Sequence, residues 1–208
     1  MKRLYVSILI LFIMVSFTAF ATIYSYKRLK NAEQSQQILE KTYQLIQDAN
    51  VAPINEENEV KEEAIKKEDI LLEDNTIGIL CIPKLNVQAP IKDGTSQEIM
   101  KTAIGHFTES NYWNGNVSLA SHNGGTNAHY FENINKLIEN DEIEYITKLG
   151  SKKYKVEKIY KISSDDWSSV LGNENIETEN SKKNNTITLI TCINGMPNYR
   201  LCVKGVEI

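Results

Sequence analysis

Thr188-Leu189-Ile190-Thr191-Cys192, with Arg200 eight positions beyond the cysteine, is the stretch from which the rest of the chain is best read. Ile187 to Thr191 is apolar and β-branched and runs out into Asn194-Gly195-Met196-Pro197-Asn198, the pattern of a strand followed by a turn. Tyr199 to Val206 is a second run of the same kind, so the pair reads as a hairpin. Alternation along a strand puts Thr188, Ile190 and Cys192 on one face, and groups Arg200, Cys202 and Lys204 in the same way. If the register sets Cys192 opposite Arg200, the two groups coincide and their Cβ atoms lie roughly 5 Å apart. A thiol at a strand end beside a permanent cation is a place where a thiolate is stabilised.

The 208 residues allow one domain of ordinary size plus extensions. The net charge of −4 comes with no long basic block, so a nucleic-acid partner is not indicated. Cys81, Cys192 and Cys202 make an odd count without C-x-x-C spacing, which argues against zinc and leaves at least one thiol unpaired. A Cys81–Cys202 disulfide stays open on sequence alone. The alternative is two small buried thiols, since both lie in apolar runs.

Leu4 to Ile23 runs twenty residues without a charge, long enough to span a bilayer, with Lys2 and Arg3 before it and Lys27, Arg28 and Lys30 after. Residues 1–26 are therefore expected to be a membrane anchor. A signal peptide cleaved near Ala19-Phe20-Ala21 is the alternative. Basic residues at both ends orient the segment poorly, yet either reading takes the chain to a membrane. Residues 27–74 read as a helical stalk and polar linker. Ala32, Gln36, Leu39, Tyr43 and Ile46 form a short helical stripe, and Val51 to Asp69 carries too few large apolar residues to build a core.

A folded unit is expected from near Leu71–Asn75 to Ile208, as residues 75–208. Strand-like runs recur at 77–82, 87–91, 116–121, 142–147, 152–162, 187–191 and 199–206, and shorter helical pieces at 96–101 and 130–138, with a further helical hint at 165–171. Many short strands between Gly, Asn and Asp turns make the domain mainly β, a sandwich or closed barrel. Residues 174–185 are polar and Asn-rich and read as a loop.

A cysteine nucleophile needs a proton acceptor, and there are three histidines. His122 ends the apolar run Val117-Ser118-Leu119-Ala120-Ser121 just before Asn123-Gly124-Gly125, which mirrors the position of Cys192. His106 and His129 read as hydrogen-bonded structural residues, and Arg200 taken alone would be a solvated strand residue.

Thr188-Leu189-Ile190-Thr191-Cys192, Arg200 ahead of a terminal strand and Leu119-Ala120-Ser121-His122 together resemble the sortases, cysteine transpeptidases of Gram-positive surfaces. Residues 77–85, 89–91 and 94–96 resemble the family's opening strands and first helix cap. The resemblance covers residues 75–208 and is closest to class D, with class A near. It implies a closed eight-stranded β-barrel with short helices behind the N-terminal membrane helix. It also implies Cys192 as nucleophile, His122 as general acid and base, and Arg200 as the group that holds the scissile carbonyl and its oxyanion.

The implied reaction cuts an LPXTG-like sorting signal of surface proteins between Thr and Gly. It then passes the acyl group from a Cys192 thioester to an amine of peptidoglycan precursor or of a pilin lysine. The implied location is the cell membrane, single-pass, with the catalytic domain outside the cytoplasm. No cofactor is implied and no metal is assigned. Ser121 stands where many relatives carry Gly. A hydrolytic cysteine peptidase on the same residues and a non-enzymatic surface module with Cys192 buried are the rival readings. An L,D-transpeptidase is a poor fit, because its histidine and cysteine lie close together in sequence.

Overall fold

The computed structural model describes residues 2–51, 65–172 and 185–208, so most of the expected linker and of the Asn-rich loop lies outside the described residues. The strands are β1 (Thr76–Ile82), β2 (Val87–Asp93), β3 (Ile104–His106), β4 (Asn116–Ala120), β5 (Glu142–Thr147), β6 (Gly150–Ser163), β7 (Thr186–Ile193) and β8 (Met196–Glu207). They close into a barrel in the order β1-β2-β3-β4-β7-β8-β6-β5. The β2/β3 and β4/β7 pairs are parallel and the others antiparallel.

Seven of these strands coincide with runs read from the sequence. The eighth, β3, is three residues long and shows no alternation that a periodicity count could detect. The helical pieces expected at 96–101 and 130–138 are only single 3-10 turns, Ile99–Lys101 and Ile134–Lys136. The 165–171 hint is a one-turn helix, α3 (Ser168–Leu171). The β7–β8 turn is tighter than expected. Ile193 pairs with Met196 across Asn194-Gly195, and Gly195 adopts φ +76°, which suits a two-residue hairpin loop.

Every residue of β1 is buried, the mark of a strand covered on both faces. Leu80 and Ile82 face the barrel core, while Ile79 and Cys81 face outward against Leu39 and Ile46. Those two belong to α1 (Lys2–Val51), a continuous helix whose N-terminal half is long and apolar enough to cross a membrane. The stripe seen in the sequence is thus no free-standing stalk, for its C-terminal half packs on the barrel wall. Burial of Leu39 and Ile46 there is worth roughly 1.5–3 kcal/mol each. Gly78 on β1 is required by close approach, since a Cβ at that position would lie 2.0 Å from the Ile146 carbonyl oxygen of β5.

The packed chain resumes at Ile65, earlier than Leu71, through α2 (Lys67–Ile70). Ile70 is fully buried, and Lys67 Nζ lies 2.6 Å from Asp93 Oδ2. Among the described residues no disulfide forms. Cys81 faces α1 and Cys202 packs with Val170 and Ile190, in separate clusters.

Asp93 anchors a buried network. Its Oδ1 accepts from Tyr112 (2.9 Å) and lies 3.2 Å from His106 Nδ1, while His106 Nε2 lies 3.1 Å from Ser110 Oγ. The Ser-His-Asp line is a structural brace. Ser110 is 8% exposed, donates to the Phe107 carbonyl and accepts from the Ser118 N–H, so it offers no accessible nucleophile.

Burial alone would raise the Asp93 carboxyl, but hydrogen bonds from His106, Lys67 and Tyr112 outweigh it and hold the pKa at about 2. A depressed carboxyl stabilises the fold above its unfolded value near 4 and loses that contribution as pH falls through about 2. Asp93→Asn should therefore cost about 2 kcal/mol at pH 7 and little near the acid limit. Urea unfolding at the two pH values checks this, and an equal loss at both would contradict it.

Candidate active site

β4 and β7 run side by side in the same direction, with Ser118 opposite Thr188, Leu119 opposite Leu189 and Ala120 opposite Ile190. Parallel strands finish at the same rim. The pairing continues one step past β4, where the Ser121 N–H donates to the Ile190 carbonyl (3.4 Å) and the Thr191 hydroxyl to the Ser121 carbonyl (2.8 Å). His122 and Cys192 are the next residue on each chain, on neighbours spaced about 4.8 Å apart. β8 returns along the other side of β7 with Arg200 in register with Cys192. His122, Cys192 and Arg200 thus form a row across three adjacent chains.

The faces agree with the alternation. Ile190 and Cys202, two residues from Cys192 and Arg200 respectively, pack together with Val170 of α3 on the outer side of the barrel. Cys192 itself is exposed, which removes the premise of a buried, inert thiol.

Arg200 is shaped by a break in the ladder. The register shifts between Cys192 and Ile193, so residues 197–199 bulge from β8. Its Nη1 donates to the carbonyls of Pro197 and Tyr199, each at 2.8 Å, which holds the guanidinium over the turn beside the cysteine.

Sequence reasoning missed the asparagines that brace this rim. Asn123 donates from Nδ2 to the Cys192 carbonyl (2.7 Å), and Asn127 Nδ2 lies 3.3 Å from His122 Nε2. The polar run 123–129 directly after His122 was the signal available. Asn116, at the start of β4, is nearly covered. Its Nδ2 donates to Ser118 Oγ and to the Ser169 and Val170 carbonyls, and its Oδ1 accepts from Thr186 and Thr188. One amide therefore ties β4, β7 and α3 together. Only the folded chain reveals that role.

Two cavities flank the row. One, about 330 Å³, lies on the outer face among Phe107, Trp167, Val170 and Leu171. The other, also about 330 Å³, opens beside Cys192 itself and has a mixed lining, polar at Asn123, Glu132 and Asn135 and apolar at Phe131, Ile193 and Leu201. Among the described residues no group of three or more His, Cys, Asp or Glu is arranged to hold a metal. His106 sits in the Asp93 brace. His129 lies on the loop after His122, with Nδ1–H donating to the Asn127 carbonyl at 2.8 Å.

Burial pushes the His122 imidazolium below its ordinary range, and the proximity of His129 adds to that. Half-covered and neutral, His122 is set to accept a proton at neutral pH.

Comparison with known proteins gives a consistent result. The sortase-domain family model matches residues 80–208. Sortase D of Bacillus subtilis (strain 168) is 30% identical over 93 residues, which is 44% of this chain and 45% of that protein, so the match spans less than half of that relative. The Clostridium perfringens Sortase D5 transpeptidase has a similar structure, with TM-score 0.60, 24% identity and coverage of 85% of this chain and 99% of that one. Pilus-related Sortase C of Group B Streptococcus superposes with TM-score 0.59 at 23% identity, over 84% and 91% of the two chains. At these identities the structural likeness is one of fold.

Two measurements probe the rim. Imidazole NMR should place the His122 titration below 6.5, and His129→Gln should move it upward; a midpoint at or above 6.5 would contradict the electrostatic description. Ser121 is buried and its Oγ has no partner among the described residues, so Ser121→Ala should raise stability by about 1 kcal/mol. Thermal unfolding reads this directly, and a lower Tm would overturn it.

Proposed function

This chain belongs to the sortase family and is most like its class D, and we propose that it is a membrane-anchored cysteine transpeptidase that cleaves an LPXTG-like sorting signal of surface proteins. The observation that carries this reading is the register that lines up His122, Cys192 and Arg200 on three neighbouring chains.

The chemistry follows from that order. The Cys192 sulfur attacks the carbonyl carbon of the signal's Thr while neutral His122 takes the thiol proton. Arg200 holds the oxyanion, for which a guanidinium suits because it stays charged and offers several donors in a fixed fork. Nη1 is occupied by the turn carbonyls, which leaves Nη2 and Nε to point the rest of the fork at substrate. The C–N bond to Gly breaks as His122 returns the proton to the leaving amine, and the acyl group remains on sulfur as a thioester. An incoming amine then attacks the thioester, His122 takes its proton, and sulfur departs as the thiolate that is reprotonated.

The two cavities fit two substrates. The apolar one is lined by Val170, which packs on Ile190 two residues before Cys192 on β7, and suits the large apolar residue that opens the signal. The other, whose mixed lining includes Glu132 and Asn135, gives the second substrate, an amine of peptidoglycan precursor or of a pilin lysine, a place beside the sulfur. The apolar half of α1 holds the enzyme at the cell membrane with the barrel outside the cytoplasm. Hydrolysis is the competing outcome, because exposure of Cys192 lets water reach the thioester too.

The test is cleavage of an LPXTG-like peptide library by the full chain in detergent micelles, with and without an amine acceptor. Cys192→Ala should abolish cleavage, and Arg200→Lys should lower kcat on the order of a hundredfold although the charge is kept. An amine adduct is expected when an acceptor is present. Cleavage that survives Cys192→Ala, or release of peptide acid alone at saturating amine, would overturn the reading.

A further inference from the structure

The segment from Asn123 to Tyr130 leaves the barrel rim immediately after His122 and is held at both ends. At its start, Asn123 bonds the Cys192 carbonyl. At its far end it lies against α1. Asn31 Nδ2 donates to the Thr126 carbonyl at 2.9 Å, and Arg28 Nη2 lies 3.2 Å from His129 Nε2. The Ser35 hydroxyl reaches both the Tyr130 hydroxyl and the Thr102 carbonyl, and the Ala128 N–H donates to the Lys101 carbonyl at 2.8 Å. Between the two ends sits Asn127, whose amide faces His122 Nε2 and whose carbonyl accepts from His129.

These contacts form one chain of hydrogen bonds from the helix to the histidine. His129 donates from Nδ1 to Asn127, so its Nε2 carries the lone pair that Arg28 can meet. Asn127 is fixed on one side by the Asn31–Thr126 bond and on the other by His129. With its oxygen turned toward His122 Nε2, the Asn127 amide accepts from Nε2–H in both protonation states of a catalytic cycle. With Nε2 held there, Nδ1 is the nitrogen that serves the reaction.

We propose that Asn31 and Ser35 of α1, acting through the Thr126–Tyr130 segment and Asn127, are positioning residues for His122, so that the stretch of helix just beyond the apolar segment is a working part of the active site. The proposal rests on the transpeptidase reading above. It places the requirement on α1 itself: Arg28 lies five positions after Ile23, about 7.5 Å of helix rise. The clamp therefore begins within two turns of the end of the apolar segment.

The experiment compares full-length Asn31→Asp, Ser35→Ala and Ser35→Thr with the unmodified chain in detergent micelles. Asp has the shape of Asn without its donor, so Asn31→Asp opposes the Thr126 carbonyl while leaving the helix intact. Expected for Asn31→Asp and Ser35→Ala is a fall in kcat of roughly tenfold with the KM for the sorting peptide unchanged, and recovery in Ser35→Thr, which keeps the hydroxyl. Circular dichroism and Tm establish that each variant is folded.

Wild-type kcat in both folded variants would overturn the proposal, as would a loss that Ser35→Thr fails to recover. His122→Ala is the control that separates the two readings. If it retains full activity, the assignment of His122 itself fails; if it is inactive while Asn31→Asp and Ser35→Ala are normal, only the role of the helix does.

Discussion

The parallel pairing of β4 with β7 is the constraint on which the rest of this molecule depends. Two strands that run the same way must deliver their C-terminal residues to one rim, and here those residues are a histidine and a cysteine seventy positions apart in the chain. The antiparallel return of β8 then sets a guanidinium on the other side of the sulfur. Had β4 paired with β7 antiparallel, His122 would lie at the opposite end of the strand. Asn116 guards that pairing, since every polar atom of its buried amide bonds across β4, β7 or α3. A buried amide so fully satisfied is costly to misplace, because any slip in register would leave its donors and acceptors unpaired.

The same barrel also takes up α1, whose N-terminal half is long and apolar enough to cross a membrane. β1 and the outward side of β5 present apolar residues to α1, so the helix becomes part of the wall. Lys41 adds exposed ion pairs to Glu73 and Asp74, which are screened by solvent and orient more than they stabilise. The polar contacts of Asn31 and Ser35 lie on the same helix but reach the loop after His122. Packing and positioning are therefore divided along α1, apolar toward β1 and polar toward the rim.

Much of the fold was legible in the chain because strands of this length carry their signal locally. Alternation exposed β5 and β6, and the all-apolar run of β1 was legible as a strand although its second cover, α1, was not. Three-residue β3 escaped because its burial comes from neighbours on both sides and not from its own pattern. Helices at 96–101 and 130–138 were overread, since apolar spacing over one or two turns describes a 3-10 turn as well as an α-helix. Within the candidate site, Cys192, His122 and Arg200 stood out by residue type and place at strand ends. Asn116, Asn123 and Asn127 did not, because an asparagine near a turn is ordinary until its partners are known.

By itself the sequence determined an apolar segment long enough to cross a membrane, a mainly β domain and three candidate residues at strand ends, all properties held within short runs of chain. Tertiary structure alone decided which strands are neighbours, that the barrel closes, that α1 lies along it, and that the guanidinium bonds the bulge carbonyls of its own hairpin. The physical reason is that periodicity and residue type act over one or two turns of chain, whereas register and closure are settled by contacts between residues tens of positions apart, whose loop-closing entropy must be offset by the whole core together.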